Sequence, residues 1–152
     1  MKKGFLFVSL WALSALVLAG CGEEKNQYKD KMKEWFDDSA NQSEVLKNDN
    51  KCDVLLGLID KDSKVISNEV LDITDGEYLY DVLVRYSDKY TLQGSDSQYG
   101  YFLTGINNIV ADYSADGSYI SLWINGDYAQ YGVSGLALHD NDVVACVYMI
   151  GY

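Results

Sequence analysis

The sequence predicts an α+β fold: a mixed sheet of about five strands with one packed helix, preceded by a leader segment and a partly helical tether. Three observations carry this. From Cys52 onward, apolar residues come in strand-length runs broken by turn residues. Within the same stretch, one segment near residues 74–90 has helical spacing. Twelve of the thirteen tyrosines follow residue 77 and proline is absent, an aromatic and β-branched enrichment that suits pleated, half-buried surfaces.

The elements follow in order. Met1-Lys2-Lys3 opens an apolar run through Leu18 that closes on Leu18-Ala19-Gly20-Cys21. Two lysines form a cationic n-region, and the run is too short for a lasting membrane span. This segment resembles the lipobox signal peptide of bacterial lipoproteins. The resemblance implies removal of residues 1–20, lipidation of the Cys21 thiol, and tethering at the extracytoplasmic face of the cell membrane. Two acyl chains at about 0.8 kcal/mol per buried methylene anchor a protein stably.

Residues 21–51 read as a polar tether, mixed in charge and poor in β-branched residues. Within it Tyr28, Met32, Trp35 and Phe36 fall at i, i+4, i+7 and i+8, one stripe of a helix. That stripe either docks on the following domain or contacts a partner or membrane surface. Docking is the favoured reading, because a tryptophan beside a phenylalanine is costly to leave in water.

Residues 52–152 form the domain. Asp53 to Asp60 encloses a continuous apolar run, Lys61 to Lys64 supplies a turn, and a second strand follows over Val65 to Ile73. Thr74-Asp75-Gly76-Glu77 fits a capping box, so a helix is expected from Thr74 to about Tyr90, burying Leu79, Val82, Leu83 and Tyr86. Two hairpin signals come next, at Asn107-Asn108 and at Asn125-Gly126, because asparagine and glycine tolerate the positive φ angles of a type I′ turn. Val143 to Ile150 is a last strand, apolar on both faces. Two strands, a helix and three strands is the order of a β-grasp domain, whose first and last strands lie parallel at the centre of the sheet, where continuous hydrophobicity belongs. One helix covers one face; the Tyr28–Phe36 stripe is the nearest cover for the other.

Several stretches carry a family likeness: Asp75-Gly76-Glu77 with Leu79 and Leu83, Tyr99 to Thr104, Trp123 to Ala129, and Leu138 to Val143. Together they resemble the transcobalamin-like C-terminal domain of bacterial surface proteins, over most of residues 52–152. Ile120 and Asn141 stand where that family usually carries tryptophan and glycine. The resemblance implies a β-grasp-like fold and binding of a corrinoid (cobalamin or a related tetrapyrrole) or another large planar ligand.

Composition narrows the function further. The chain carries a net charge of −11, and loss of residues 1–20 would take it to about −13, against what a nucleic-acid backbone requires of its partner. His139, the only histidine, sits in the turn-like His139-Asp140-Asn141-Asp142. No nucleophile elbow or Cys–His spacing is visible, so no catalytic residue and no metal ligand is assigned. The expected function is a non-enzymatic binding module that uses aromatic loops and hairpin tips. Its candidate contacts are Tyr99, Tyr101, Trp123, Tyr128 and Tyr131, with Asn125 and Gly126 shaping the hairpin. Trp123 could equally face the core. The competing class is an accessory that contacts another envelope protein. Cys52 and Cys146 either close a disulfide, if register brings them together, or remain two small thiols.

Overall fold

The computed structural model describes residues 32–38 and 52–151. Cys21, the leader, Tyr28 and most of the tether lie outside the described residues. In chain order the elements are α1 (32–38), β1 (Cys52–Ile59), β2 (Val65–Ile73), α2 (Leu79–Arg85), β3 (Leu92–Ser97), β4 (Gly100–Ile106), β5 (Ile109–Val110), α3 (Tyr113–Asp116), β6 (Ser118–Ile124), β7 (Asp127–Tyr128) and β8 (Val143–Ile150).

Five strands form a mixed sheet in the order β2-β1-β8-β6-β7. The first and last strands are neighbours and parallel, with Leu55 opposite Val143 and Ile59 opposite Val147. Their continuous apolar runs are buried almost throughout, as central strands packed on both faces must be. β6 and β7 close on Asn125 and Gly126, both at positive φ, which is the expected Asn-Gly hairpin.

The region between α2 and β6 departs from the expectation. Asn107-Asn108 does turn a hairpin, with Asn107 at φ 53, but its strands β4 and β5 join β3 in a separate three-stranded sheet. β3, Leu-Gln-Gly-Ser-Asp-Ser, lacks apolar alternation, and pairing with β4 holds it rather than its own pattern. The short α3 was not expected either. Asp112 caps it by accepting from the Ser114 and Ala115 amides, and Gly117 at φ 74 ends it.

α2 begins at Leu79 rather than Thr74. Glu77 does reach back to the Thr74 amide at 3.0 Å, but Gly76 sits at φ 82 and the Gly76, Leu79 and Tyr80 amides bond to the carbonyls of Leu138, Leu136 and Val133. The loop over residues 133–138 therefore satisfies amides that a capping threonine would have taken. Glu77 also pairs with Arg85 at 2.8 Å, and the guanidinium hydrogen bond holds its carboxyl below the usual glutamate range despite partial burial. Because the folded pKa is lowered, this stabilisation is complete at neutral pH and is lost as pH falls through the range below about 4. Glu77→Gln should cost less than about 1 kcal/mol at pH 7, given that Arg85 is 44% exposed, and should shrink the stability difference between pH 7 and pH 3 in urea titrations.

Two clusters fill the interior of the described residues. One lies between the main sheet, α2 and the second sheet, with Leu56, Leu58, Leu79, Leu83, Ile106 and Leu138 at its centre. The other lies on the opposite face, where Met32 and Phe36 of α1 pack with Leu55, Ile59, Trp123, Val143, Ala145 and Val147. α1 is thus the cover of the second face. The Trp35 ring lies over Gly57 so closely that a Cβ there would overlap it, which is why the centre of β1 carries a glycine.

The register excludes a Cys52–Cys146 disulfide. Cys146 lies opposite Leu58, six residues along β1 from Cys52, roughly 20 Å at the rise of a strand. Both thiols are free, and burial pushes that of Cys146 up to about 12.

Candidate functional site

A groove runs between the second sheet and β6 and continues along the residues that follow β7. One end, of about 250 Å³, is lined by Tyr101, Phe102, Tyr119, Tyr128 and Tyr131 among others. The other end, of about 400 Å³, shares Phe102, Leu103 and Tyr119 with the first and extends to Val110, Asp112 and Tyr113. The rings are accessible: Phe102 is 55% exposed, Tyr113 67% and Tyr131 68%, an unusual concentration of exposed aromatic surface for a single trough.

Backbone geometry holds these rings in place. The Tyr101 amide donates to Ser134 Oγ at 2.8 Å, fastening β4 to the loop after β7, and a Cβ at Gly100 would collide with that hydroxyl. The Tyr101 ring leans on Tyr80 of α2, centroids 4.8 Å apart. The Ala129 amide bonds to the Leu122 carbonyl, so the chain leaves β7 still tied to β6 and brings Tyr131 to the groove that Phe102 also lines. Asp112 and Ser118 brace the far end, the Asp112 amide donating to Ser118 Oγ at 2.8 Å.

Chemically, the groove offers ring faces and hydroxyls, with Asp112 the one carboxylate among the described residues that line it. Burial, reinforced by Tyr80 and Asp96, raises the Tyr101 phenol above its ordinary pKa. Burial, with Tyr128 and Tyr113 adding, does the same to Tyr119. Both stay protonated donors at neutral pH. Among the described residues, no lysine or arginine lines the groove. A flat neutral or cationic ligand fits such a surface better than a phosphate. No three His, Cys, Asp or Glu among the described residues are grouped to hold one metal ion.

Of the candidate contacts, Tyr101, Tyr128 and Tyr131 meet in this groove. Tyr99, 85% exposed, stands at the β3–β4 turn and does not line it. Trp123 faces the core: it is 8% exposed in the cluster under α1, with Nε1 donating to Ser121 Oγ and its ring edge-on to Tyr128 at 5.6 Å. Asn125 and Gly126 form the turn, but the Asn125 side chain is engaged by Asp142 and the Val143 amide. Phe102, Tyr113 and Tyr119 were missed. Phe102 directly follows Tyr101, so alternation sends one of the pair outward, and that outward aromatic was the available signal.

Residues 76–148 match the family model of a domain of unknown function, DUF4430. No curated protein matches the sequence. Among solved structures the chain is similar to a candidate metal-binding protein from Ruminococcus gnavus ATCC 29149, with 21% identity and a TM-score of 0.54 over 67% of this chain and 100% of that one. It is also similar to haptocorrin, solved in complex with Cbi, with 12% identity and a TM-score of 0.59 over 68% of this chain. The chain spans 26% of haptocorrin's length. The likeness in both cases is one of fold.

Proposed function

We propose that this protein is a lipid-anchored, extracytoplasmic binding module without catalytic chemistry of its own, and that its aromatic groove holds a large planar ligand, with a corrinoid the leading candidate. The observation that carries the reading is the continuous trough whose exposed walls are Phe102, Tyr113, Tyr128 and Tyr131. Haptocorrin in complex with Cbi supports the choice of ligand class, since the chain shares its fold. Ring faces on both walls suit stacking and contact with a macrocycle edge, and the tyrosine hydroxyls suit its polar substituents.

The two ends of the groove, about 250 and 400 Å³, are open surfaces that cover one side of a macrocycle. A ligand buried on one side only loses much of the contact area that a closed site provides, so micromolar rather than nanomolar affinity is expected. Equilibrium dialysis of the purified protein with cobinamide, and separately with haem, should show saturable binding of at least one. Phe102→Ala combined with Tyr131→Ala should weaken that binding about tenfold or more, equivalent to about 1.4 kcal/mol, while leaving thermal unfolding unchanged. Absence of saturable binding, or binding indifferent to the double variant, contradicts the reading. The membrane tether has its own test: Cys21→Ser should move the protein from the membrane fraction to the soluble one.

The second reading is a module that contacts another envelope protein. Tyr99 favours it, because an 85% exposed ring beyond the groove adds contact area that a small ligand would not use. Under that reading the protein copurifies from membranes with a polypeptide and without a chromophore.

A further inference from the structure

A second cavity, of about 450 Å³, opens where the β1–β2 turn faces the β4–β5 turn, and it meets the aromatic groove only at Val110. We propose that it is a site for a small neutral saccharide. The inference does not depend on what the aromatic groove binds.

Its walls divide into an apolar floor and a polar rim. The floor is the buried Leu58 and Ile109 with the ring of Tyr148, and the exposed side chains of Ile66 and Val110 add apolar surface at the edge. The Tyr148 hydroxyl already donates to Asp116 Oδ2 at 3.2 Å, so the ring is the surface it offers the cavity. The rim carries Asp60, Lys61, Ser67, Asn107 and Asn108. Hydrogen bonds made elsewhere decide which atoms remain for a ligand. Asp60 Oδ1 accepts from the Asp62 and Lys64 amides, which leaves Oδ2 as an acceptor. Asn107 Oδ1 accepts from the Thr91 amide at 2.8 Å, which leaves its Nδ2 as a donor. Both groups are held by tight turns, the second with Asn107 at φ 53, so little ordering is required when a ligand arrives.

One carboxylate oxygen, amide nitrogens, an ammonium and a serine hydroxyl around an apolar floor match a pyranose, whose hydroxyls both donate and accept and whose C–H face is apolar. An anion would meet Asp60, and a cation would find one carboxylate only.

The test is a set of NMR titrations of the ¹⁵N-labelled full protein with glucose, galactose and N-acetylglucosamine. At least one should give saturable millimolar shifts at Lys61, Ser67, Asn107 and Asn108. Asn108→Ala and Asp60→Asn, the latter retaining the Oδ1 acceptor of the turn, should each weaken binding at least fivefold. Phe102→Ala, in the aromatic groove, should leave it unchanged. No saturable shift with any of the three sugars overturns the proposal, as do shifts that Asn108→Ala and Asp60→Asn leave intact or that centre on Phe102 and Tyr131.

Discussion

Gly57→Val should lift α1 from the sheet and cost about 3 to 4 kcal/mol. Overpacking alone costs 1–3 kcal/mol, and burial of Met32 and Phe36, about 2 kcal/mol each, is lost in part when the helix moves. Urea denaturation should report the loss, and tryptophan emission should shift to longer wavelength as Trp35 and Trp123 become wet. The sign then reverses in a second background. Valine is favoured over glycine in a strand interior, so in a Trp35→Ala protein the same Gly57→Val change should be neutral or stabilising. A coupling energy of about 2 kcal/mol or more between the two sites is the expected result. Equal cost in both backgrounds would show that the glycine does not serve the tryptophan.

The second large effect lies where the β6–β7 turn meets the start of β8. Asn125 Nδ2 donates to Asp142 Oδ1 at 2.7 Å and its Oδ1 accepts from the Val143 amide at 2.9 Å. The other oxygen of Asp142, itself 9% exposed, takes the His139 amide. Asn125→Asp keeps the residue shape and the tolerance for φ 51, but sets two carboxylates face to face in a half-buried site. The cost should be about 3 kcal/mol at pH 7. The introduced carboxyl has a folded pKa raised above its unfolded value, so the penalty should fade as pH drops from 7 toward 4 and it takes a proton. Asn125→Ala should also destabilise, by about 2 kcal/mol, but without that recovery in acid. Parallel behaviour of the two variants with pH would remove charge as the cause.

How much of this was legible in sequence follows from which residues carry local information. β1 and β8 announce themselves by uninterrupted apolar runs, and their parallel pairing follows once a helix and hairpins separate them. The α1 stripe was legible for the same reason: Met32, Trp35 and Phe36 had to find an apolar face, and the sheet had one uncovered. The start of α2 was not, because the loop over residues 133–138 that takes its free amides lies more than fifty residues away. Nor was β3, where five polar or small residues follow Leu92 and form a strand only because β4 pairs with them. Register decided the cysteines, and no local pattern reports register.

The candidate site divides along the same line. Tyr101, Tyr128 and Tyr131 come together because β4 and the chain after β7 face each other across the groove. That meeting is tertiary, and only the family resemblance hinted at it. Trp123 went to the core because alternation sets it on the opposite face from Leu122, and α1 covers that face as well.

The most direct measurement is chemical-shift mapping of the ¹⁵N-labelled protein titrated with cobinamide and, separately, with haem. The proposed function predicts saturable shifts clustered on Phe102, Tyr113, Tyr119, Tyr128 and Tyr131, with α1 and β2 undisturbed. Saturable shifts that leave these five residues untouched, or no saturable shift at all, would contradict it.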